Sequence, residues 1–256
     1  MKKNKTFLLI MLFSVLISGN SIWAQTKIIA HRGHWDCAGS AQNSIASLNK
    51  AHEVGVYGSE FDVSITADGI LVVNHDDSYQ GHVIETSTYD ELKNLKLKNG
   101  ENLPTLEAYL KQGKINKGTQ LILEIKPHKR VVNEDKAVSD ILKMVKKMKL
   151  EKQVEYISFS MNICKELIRQ APKAQVAYLG GNVSPQDLKT LGFTGLDYHY
   201  KVFDKNPTWI KDAKALGLTV NVWTVDDPAV MKSLISQKVD YITTNQPVEL
   251  KKLLEE

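Results

Sequence analysis

Residues 59–75 read Ser59-Glu60-Phe61-Asp62-Val63-Ser64-Ile65-Thr66-Ala67-Asp68-Gly69-Ile70-Leu71-Val72-Val73-Asn74-His75. The run 59–63 has the length and composition of a strand. Side chains alternate along a strand, so Glu60 and Asp62 share one face and Phe61 takes the other. Asp68-Gly69 separates 63–65 from 70–73, which is the turn chemistry of a hairpin. An antiparallel strand therefore follows the first and ends at Asn74-His75.

Working outward, seven more apolar runs of strand length appear at 28–30, 121–125, 156–159, 176–179, 196–198, 220–223 and 241–243. Helical patterns lie between them at 44–54, 136–148, 163–170, 185–191, 207–216 and 228–236, with shorter ones at 89–95 and 105–112. Ser184-Pro185 and Asp227-Pro228 place a capping side chain before a first-turn proline. Gly55, Gly113, Gly192 and Gly217 read as helix ends. Strands alternating with helices imply parallel pairing through right-handed crossovers. Eight such units predict an α/β fold, a (β/α)8 TIM barrel with a β-hairpin addition after the second strand. A doubly wound sheet is the weaker alternative, because no glycine-rich turn follows the first strand.

The chain has 256 residues, is 43% hydrophobic and 24% charged, and so falls among ordinary globular proteins. Its formal charge is +4, and Lys2, Lys3 and Lys5 account for three of those charges. The nearly neutral remainder argues against nucleic acid as a partner. Those lysines precede an apolar stretch from Phe7 to Ile17 and then small and polar residues, the order of a signal peptide. The reading is a leader over 1–24, cleaved after Ala24, and one domain over 25–256. The protein is then exported, periplasmic or secreted, with no stable membrane insertion once the leader is gone. Cys37 and Cys164 make no disulfide framework and read as free thiols.

In a barrel of this kind the C-terminal ends of the strands build the active site. The polar residues at those ends are His31-Arg32-Gly33, Glu60 and Asp62, His75-Asp76, and Glu124 with Lys126. A single strand carboxylate is commonly just salt-bridged. Glu60, Asp62 and Glu124 directed inward together would repel one another, and a hard divalent cation is the simplest remedy. His31 and His75 suit acid–base work near neutral pH. Arg32 offers a planar fork and Lys126 a point charge, both suited to phosphate. His34, His52, His82, His128 and His199 read as packing or surface residues.

In order, His31-Arg32-Gly33, Glu60-Phe61-Asp62 and His75-Asp76 resemble the pattern of glycerophosphodiester phosphodiesterases. The resemblance continues through Pro104-Thr105-Leu106-Glu107, Leu123-Glu124-Ile125-Lys126, Val220-Asn221-Val222-Trp223-Thr224-Val225 and Asp240-Tyr241-Ile242-Thr243-Thr244-Asn245-Gln246-Pro247. It implies a barrel enzyme that splits a glycerophosphodiester into an alcohol and glycerol 3-phosphate with one divalent metal ion, Mg2+ or Ca2+. It implies Glu60, Asp62 and Glu124 as metal ligands and His31 and His75 as the acid/base pair. Arg32 and Lys126 would contact phosphate, and Trp223 would wall the substrate. One departure is Ala41-Gln42-Asn43-Ser44, where many members have Pro-Glu-Asn-Thr, so an amide replaces an acid. Little material is expected after His75 to cap the pocket.

The expected chemistry is metal-assisted phosphodiester cleavage. Either histidine can be the base. The attacking oxygen is a glycerol hydroxyl, giving a cyclic phosphate that water opens, or water itself. Three alternatives compete: a lyase that stops at the cyclic phosphate, a glycoside hydrolase using barrel carboxylates, and a non-catalytic phosphoester-binding protein.

Overall fold

The computed structural model describes residues 25–256. The leader assigned to 1–24 lies outside them. In chain order, β1 (Lys27–Ala30) leads to α1 (Ile45–Val54), then β2 (Gly58–Ile65) and β3 (Leu71–Val73). A small excursion follows, with β4 (Ser78–Tyr79), β5 (His82–Val83), a 3-10 turn at Ile84–Thr86 and α2 (Tyr89–Leu92). The chain resumes with α3 (Leu106–Ile115), β6 (Gln120–Ile125), α4 (Val131–Met148), β7 (Val154–Ser158), α5 (Met161–Gln170) and β8 (Val176–Tyr178). It ends with α6 (Pro185–Thr190), β9 (Gly195–His199), α7 (Tyr200–Lys205), α8 (Trp209–Ala215), β10 (Thr219–Trp223), α9 (Pro228–Ser236), β11 (Tyr241–Thr244) and α10 (Pro247–Glu255).

Eight parallel strands run β1-β11-β10-β9-β8-β7-β6-β2, and β1 pairs again with β2 to close the barrel. β3 runs antiparallel to β2, with Val63 opposite Val73, as the Asp68-Gly69 turn predicts. Among the described residues no helix is long and apolar enough to cross a membrane.

Alternation on β2 divides its labour. Phe61 faces outward and stacks on Tyr109 of α3, ring centroids 4.3 Å apart, and neither residue is accessible to solvent. Truncating such a buried ring costs about 3–5 kcal/mol. Glu60 and Asp62 face the barrel axis, where Ile29, Ile122, Ile157 and Leu179 form the apolar interior layer. The predicted caps form: Ser184 accepts from the Asp187 amide, and Asp227 from those of Ala229 and Val230.

Three local expectations differ from the structure. Gly113 is not a helix end but a buried residue inside α3, and a Cβ there would stand 2.6 Å from Leu121. α4 begins at Val131, five residues earlier than periodicity suggests. The Glu85 carboxylate caps that end, accepting from the amides of Lys129 (3.0 Å) and Arg130 (3.2 Å) and from the Asn133 side chain (2.7 Å). The segment after His75 is also more substantial than expected. Residues 76–104 carry Ile84, Leu92, Leu97 and Leu103 into a satellite core with Ala41 and Val72. Glu101 from this segment caps α1 through the amides of Ile45 and Ala46.

Candidate active site

The site forms where β1, β2 and β6 end. After Ala30 the backbone turns sharply: Arg32 (φ 54°) and Gly33 (φ 76°) are both left-handed. Gly33 donates to the Glu60 carbonyl, and a Cβ there would lie 2.4 Å from Ser47 Oγ, so only glycine fits. This turn aims the Arg32 amide at Glu60 Oε2, 2.8 Å away.

Asp62 and Glu124 are register partners on adjacent strands, so their side chains meet inside the barrel. Glu60, Asp62 and Glu124 can each offer an oxygen within 4.8 Å of the others, and all three are buried. They are the one such cluster among the described residues. Lys126 lies 3.3 Å from Asp62 Oδ1 and 2.8 Å from Glu124 Oε1, and the latter contact is an ion pair without hydrogen-bond alignment. Glu60 Oε1 has no partner. Burial pushes the Glu60 carboxyl well above its ordinary value, and the neighbouring carboxylates add to it. Glu124 is pushed up to about 7 by burial and Asp62, against Lys126. Burial also works against the Asp62 anion, but Lys126, His75, Asn43 and Arg32 together hold its carboxyl below the usual range. With all three ionised, the three negative charges would exceed the two positive charges of Arg32 and Lys126, and the raised Glu60 and Glu124 carboxyls reflect burial and that crowding. The cluster's donors are all hard oxygens, which suits Mg2+ or Ca2+.

His31 is held by a relay. Asp226 accepts from the Asn245 side-chain and backbone nitrogens, both at 2.8 Å. A carboxylate only accepts, so the Asn245 amide is oriented with Oδ1 toward His31 Nδ1 at 2.9 Å. The Trp35 indole donates to the same oxygen at 3.0 Å. His31 therefore carries its proton on Nδ1 and leaves Nε2 as the acceptor. Burial, helped by Arg32, lowers its pKa to about 4, so the ring is neutral at neutral pH. His75 is half-buried at the end of the hairpin, with Nδ1 2.7 Å from Asp76 Oδ1.

A cavity of about 210 Å³ is lined by His31, Arg32, Glu60, His75, Glu124 and Trp223 among others. Of the predicted site residues, only Asp62 and Lys126 are absent from its lining, and they stand behind it as partners of Glu124. Trp223 is fixed by donating to the Asp197 carbonyl and packs edge-on against Phe159 and His199. His199 also accepts from the Lys201 amide at the start of α7. Gln42 accepts from Arg32 Nη1 at 2.8 Å, so the amide that replaces the usual acid still orients the guanidinium. Cys37 and Cys164 are free.

Sequence reasoning missed Asn43, Asp197, Asn245 and Asp226. Asn43 (φ 62°) grips Asp62 twice, donating to Oδ2 and accepting from its amide. Asp197 is buried on the cavity floor, its pKa pushed up to about 8 by burial against a favourable bond to Asn221. Alternation on the strand ending at His199 places Asp197 inward, and that signal was in the sequence.

The family model described as Glycerophosphoryl diester phosphodiesterase family matches residues 31–249. The chain belongs to that family. A glycerophosphodiester phosphodiesterase from Caldanaerobacter subterraneus is 30% identical over 241 residues, covering 88% of this chain and 96% of that protein. The crystal structure of a glycerophosphodiester phosphodiesterase from Parabacteroides distasonis is similar at 56% identity and TM-score 0.90, covering 91% of this chain and 98% of that one. A phosphodiesterase from Oleispira antarctica, solved with the product sn-glycerol-3-phosphate, is similar at 25% identity and TM-score 0.77, covering 91% and 98% of the two chains.

Proposed function

We propose that this protein is an exported, metal-dependent phosphodiesterase that hydrolyses glycerophosphodiesters to an alcohol and glycerol 3-phosphate. The observation that carries the reading is the buried trio Glu60, Asp62 and Glu124, with an unpartnered Glu60 oxygen facing a cavity shared by two histidines. These three carboxylates would hold one divalent ion, Mg2+ or Ca2+. When bound, such an ion polarises a non-bridging phosphate oxygen.

The remaining chemistry belongs to the chain. Arg32 and Lys126 bring positive charge to the phosphate. His31, neutral and with Nε2 open, takes the proton of the attacking oxygen, which is either water or a glycerol hydroxyl whose cyclic phosphate water then opens. His75 donates a proton to the departing alkoxide, with Asp76 as the partner of its other nitrogen. Trp223 and Phe159 wall the cavity with ring surface. A glycoside hydrolase is disfavoured, because its chemistry uses two carboxyl groups flanking the bond, whereas here three buried carboxylates share one cluster beside two histidines and an arginine.

The test is release of glycerol 3-phosphate from glycerophosphocholine and glycerophosphoglycerol. Chelation should abolish turnover, and Mg2+ or Ca2+ should restore it. Full turnover by metal-stripped protein, or activity confined to nitrophenyl glycosides, would overturn the reading. His31→Ala and His75→Ala should each lower kcat by about 10²–10⁴-fold. A nitrophenyl leaving group needs little protonation, so it should rescue the His75 variant far more than the His31 variant. The lysine-led leader supports export: mature protein from the native host should begin near Gln25, and a full-length cytosolic form would exclude it.

A further inference from the structure

Asp197 is a buried carboxyl that the chemistry above leaves unused. It stands on β9 at 2% exposure, between Leu196 and Tyr198, which pack into the core outside the barrel. Alternation turns Asp197 inward, to the cavity of about 210 Å³ that it lines. Barrel interiors are ordinarily filled by Val, Ile or Leu, as Ile29, Ile122, Ile157 and Leu179 do here. An acid in such a layer costs free energy unless a partner answers it. Asn221, its register partner on β10, is the side chain it meets, and its Oδ1 has no hydrogen-bond partner. The charged groups that act on it are Glu124 and Glu155, both acids. It also stands outside the trio of Glu60, Asp62 and Glu124 whose oxygens converge. Neither an ion pair nor the carboxylate cluster accounts for it.

Resting on the phosphodiesterase reading above, we propose that Asp197 is a specificity-determining residue whose carboxyl binds the terminal hydroxyl of the glycerol unit. The groups assigned to the phosphate and to the hydroxyl beside the ester sit at the ends of β1, β2, β3 and β6. Around the barrel β9 is four strands from β2 in either direction, so it forms the opposite wall. A substrate anchored by its phosphate on the first side presents the far end of its three-carbon unit to the second. The other polar groups of that wall are engaged or stand higher. The Trp223 indole donates to the backbone carbonyl of Asp197, and the Thr243 hydroxyl is bonded to Asn221. Thr224 lies three residues past Asn221, about 10 Å nearer the mouth. A carboxyl accepts from a hydroxyl when ionised and donates to it when protonated, so Asp197 can hold a hydroxyl in either state. A methyl group in that place would leave Oδ1 bare, and a site with a buried polar group left unpaired rejects such an analogue.

The experiment compares two phosphodiesters of ethanolamine in metal-supplied protein. One carries glycerol, and the other carries propane-1,2-diol, which keeps the hydroxyl beside the ester and has a methyl group in place of the terminal one. kcat/KM is measured for wild type, Asp197→Leu, Asp197→Ala and Asp197→Asn. Wild type should favour the glycerol diester by about 10–100-fold, the scale of one hydrogen bond to a carboxyl. Asp197→Leu and Asp197→Ala should each erase that preference, by losing about 10–100-fold on the glycerol diester and much less on the analogue. Asparagine keeps an acceptor and a donor, so Asp197→Asn should retain most of the preference. The melting temperature of Asp197→Leu should hold or rise, because a bare buried carboxyl gives way to the residue type that fills this layer. Equal kcat/KM for the two diesters in wild type, or an equal loss on both in the leucine and alanine variants, would overturn the proposal. So would a fall in melting temperature with the preference intact, which would make Asp197 structural. Absence of turnover of the glycerol diester by metal-supplied wild type would instead overturn the phosphodiesterase reading.

Discussion

Glu155 and Glu60 are carboxylates on neighbouring parts of one barrel, at opposite ends. Glu155 sits near the start of β7, where it accepts the Tyr57 hydroxyl and feels Lys27. Lys27 in turn stands 4.4 Å over the Tyr57 ring, and Tyr57 meets the Tyr241 hydroxyl. A cavity of about 490 Å³ opens there, and in its wall Glu155, Tyr57 and Tyr241 are occupied with one another. At the other end Glu60 accepts one backbone amide and leaves an oxygen bare, beside two more carboxylates. An internally satisfied carboxylate secures structure. A carboxylate held in place and left unsatisfied is poised to take something from outside.

Glu60→Gln offers the strongest challenge to that contrast. Glutamine keeps the oxygen that accepts from the Arg32 amide and removes one of three repelling charges. Turnover should fall by about 10²–10³-fold, the scale of losing one electrostatic stabiliser at a reacting centre. The metal-free melting temperature should hold or rise, since a buried like charge is gone. Wild type should gain stability on adding Mg2+ or Ca2+, about 2.7 kcal/mol at a hundredfold excess over Kd, and the variant should lose most of that gain. A variant that melts well below wild type while keeping its metal response would reverse the assignment of the two ends.

The second test concerns what holds His31. Asn245→Leu removes the oxygen that fixes its tautomer. Turnover should fall by about 10–100-fold, as for other outer partners that orient a reactive imidazole. In wild type the direction of the pH response follows from burial. His31 accepts a proton only when neutral, and its folded value of about 4 lies below the ordinary 6.5. Its base function is therefore retained as pH falls from 7 to 5 and lost through about 4. Between 6.5 and 4 the unfolded chain binds the proton that the folded chain refuses, so this group's contribution to stability is lost as pH falls through that window. An acid limb in kcat/KM near 6.5 assigned to His31 would show a solvated ring.

These contrasts also mark how far the sequence could be read. The barrel was legible because burial writes itself into apolar runs, and the hairpin because Asp68-Gly69 has one favoured geometry. Glu60 and Asp62 were legible as a pair because strand alternation is local. Asn245 was quoted only as part of a motif, since its role depends on Asp226 across a loop and His31 on a strand 214 positions earlier. The early start of α4 was hidden for the same reason: its cap, Glu85, comes from another element. Gly113 looked like a helix end because periodicity cannot show Leu121 pressed against it. Local chemistry is written in local sequence, whereas positioning is written in contacts that only the closed barrel creates.

The smallest effect is expected at the satisfied end, and it separates the two ends most cleanly. Glu155→Gln keeps an acceptor for the Tyr57 hydroxyl but exchanges a charge-assisted bond for a neutral one. It also takes away the negative partner of Lys27. Burial raises the Glu155 carboxyl, so part of its charge is already opposed by the fold, and the net loss should be modest. A bond of this kind contributes about 1 kcal/mol, which in a chain of this size lowers the melting temperature by about 2–4 °C. Turnover and metal response should stay within about twofold of wild type, since additivity holds for distant sites. A thermal melt alongside a kcat/KM measurement reads both quantities. A large loss of activity with an unchanged melt would mean that the Tyr57–Glu155 end is itself a working site, and that internal satisfaction does not distinguish structure from function in this barrel.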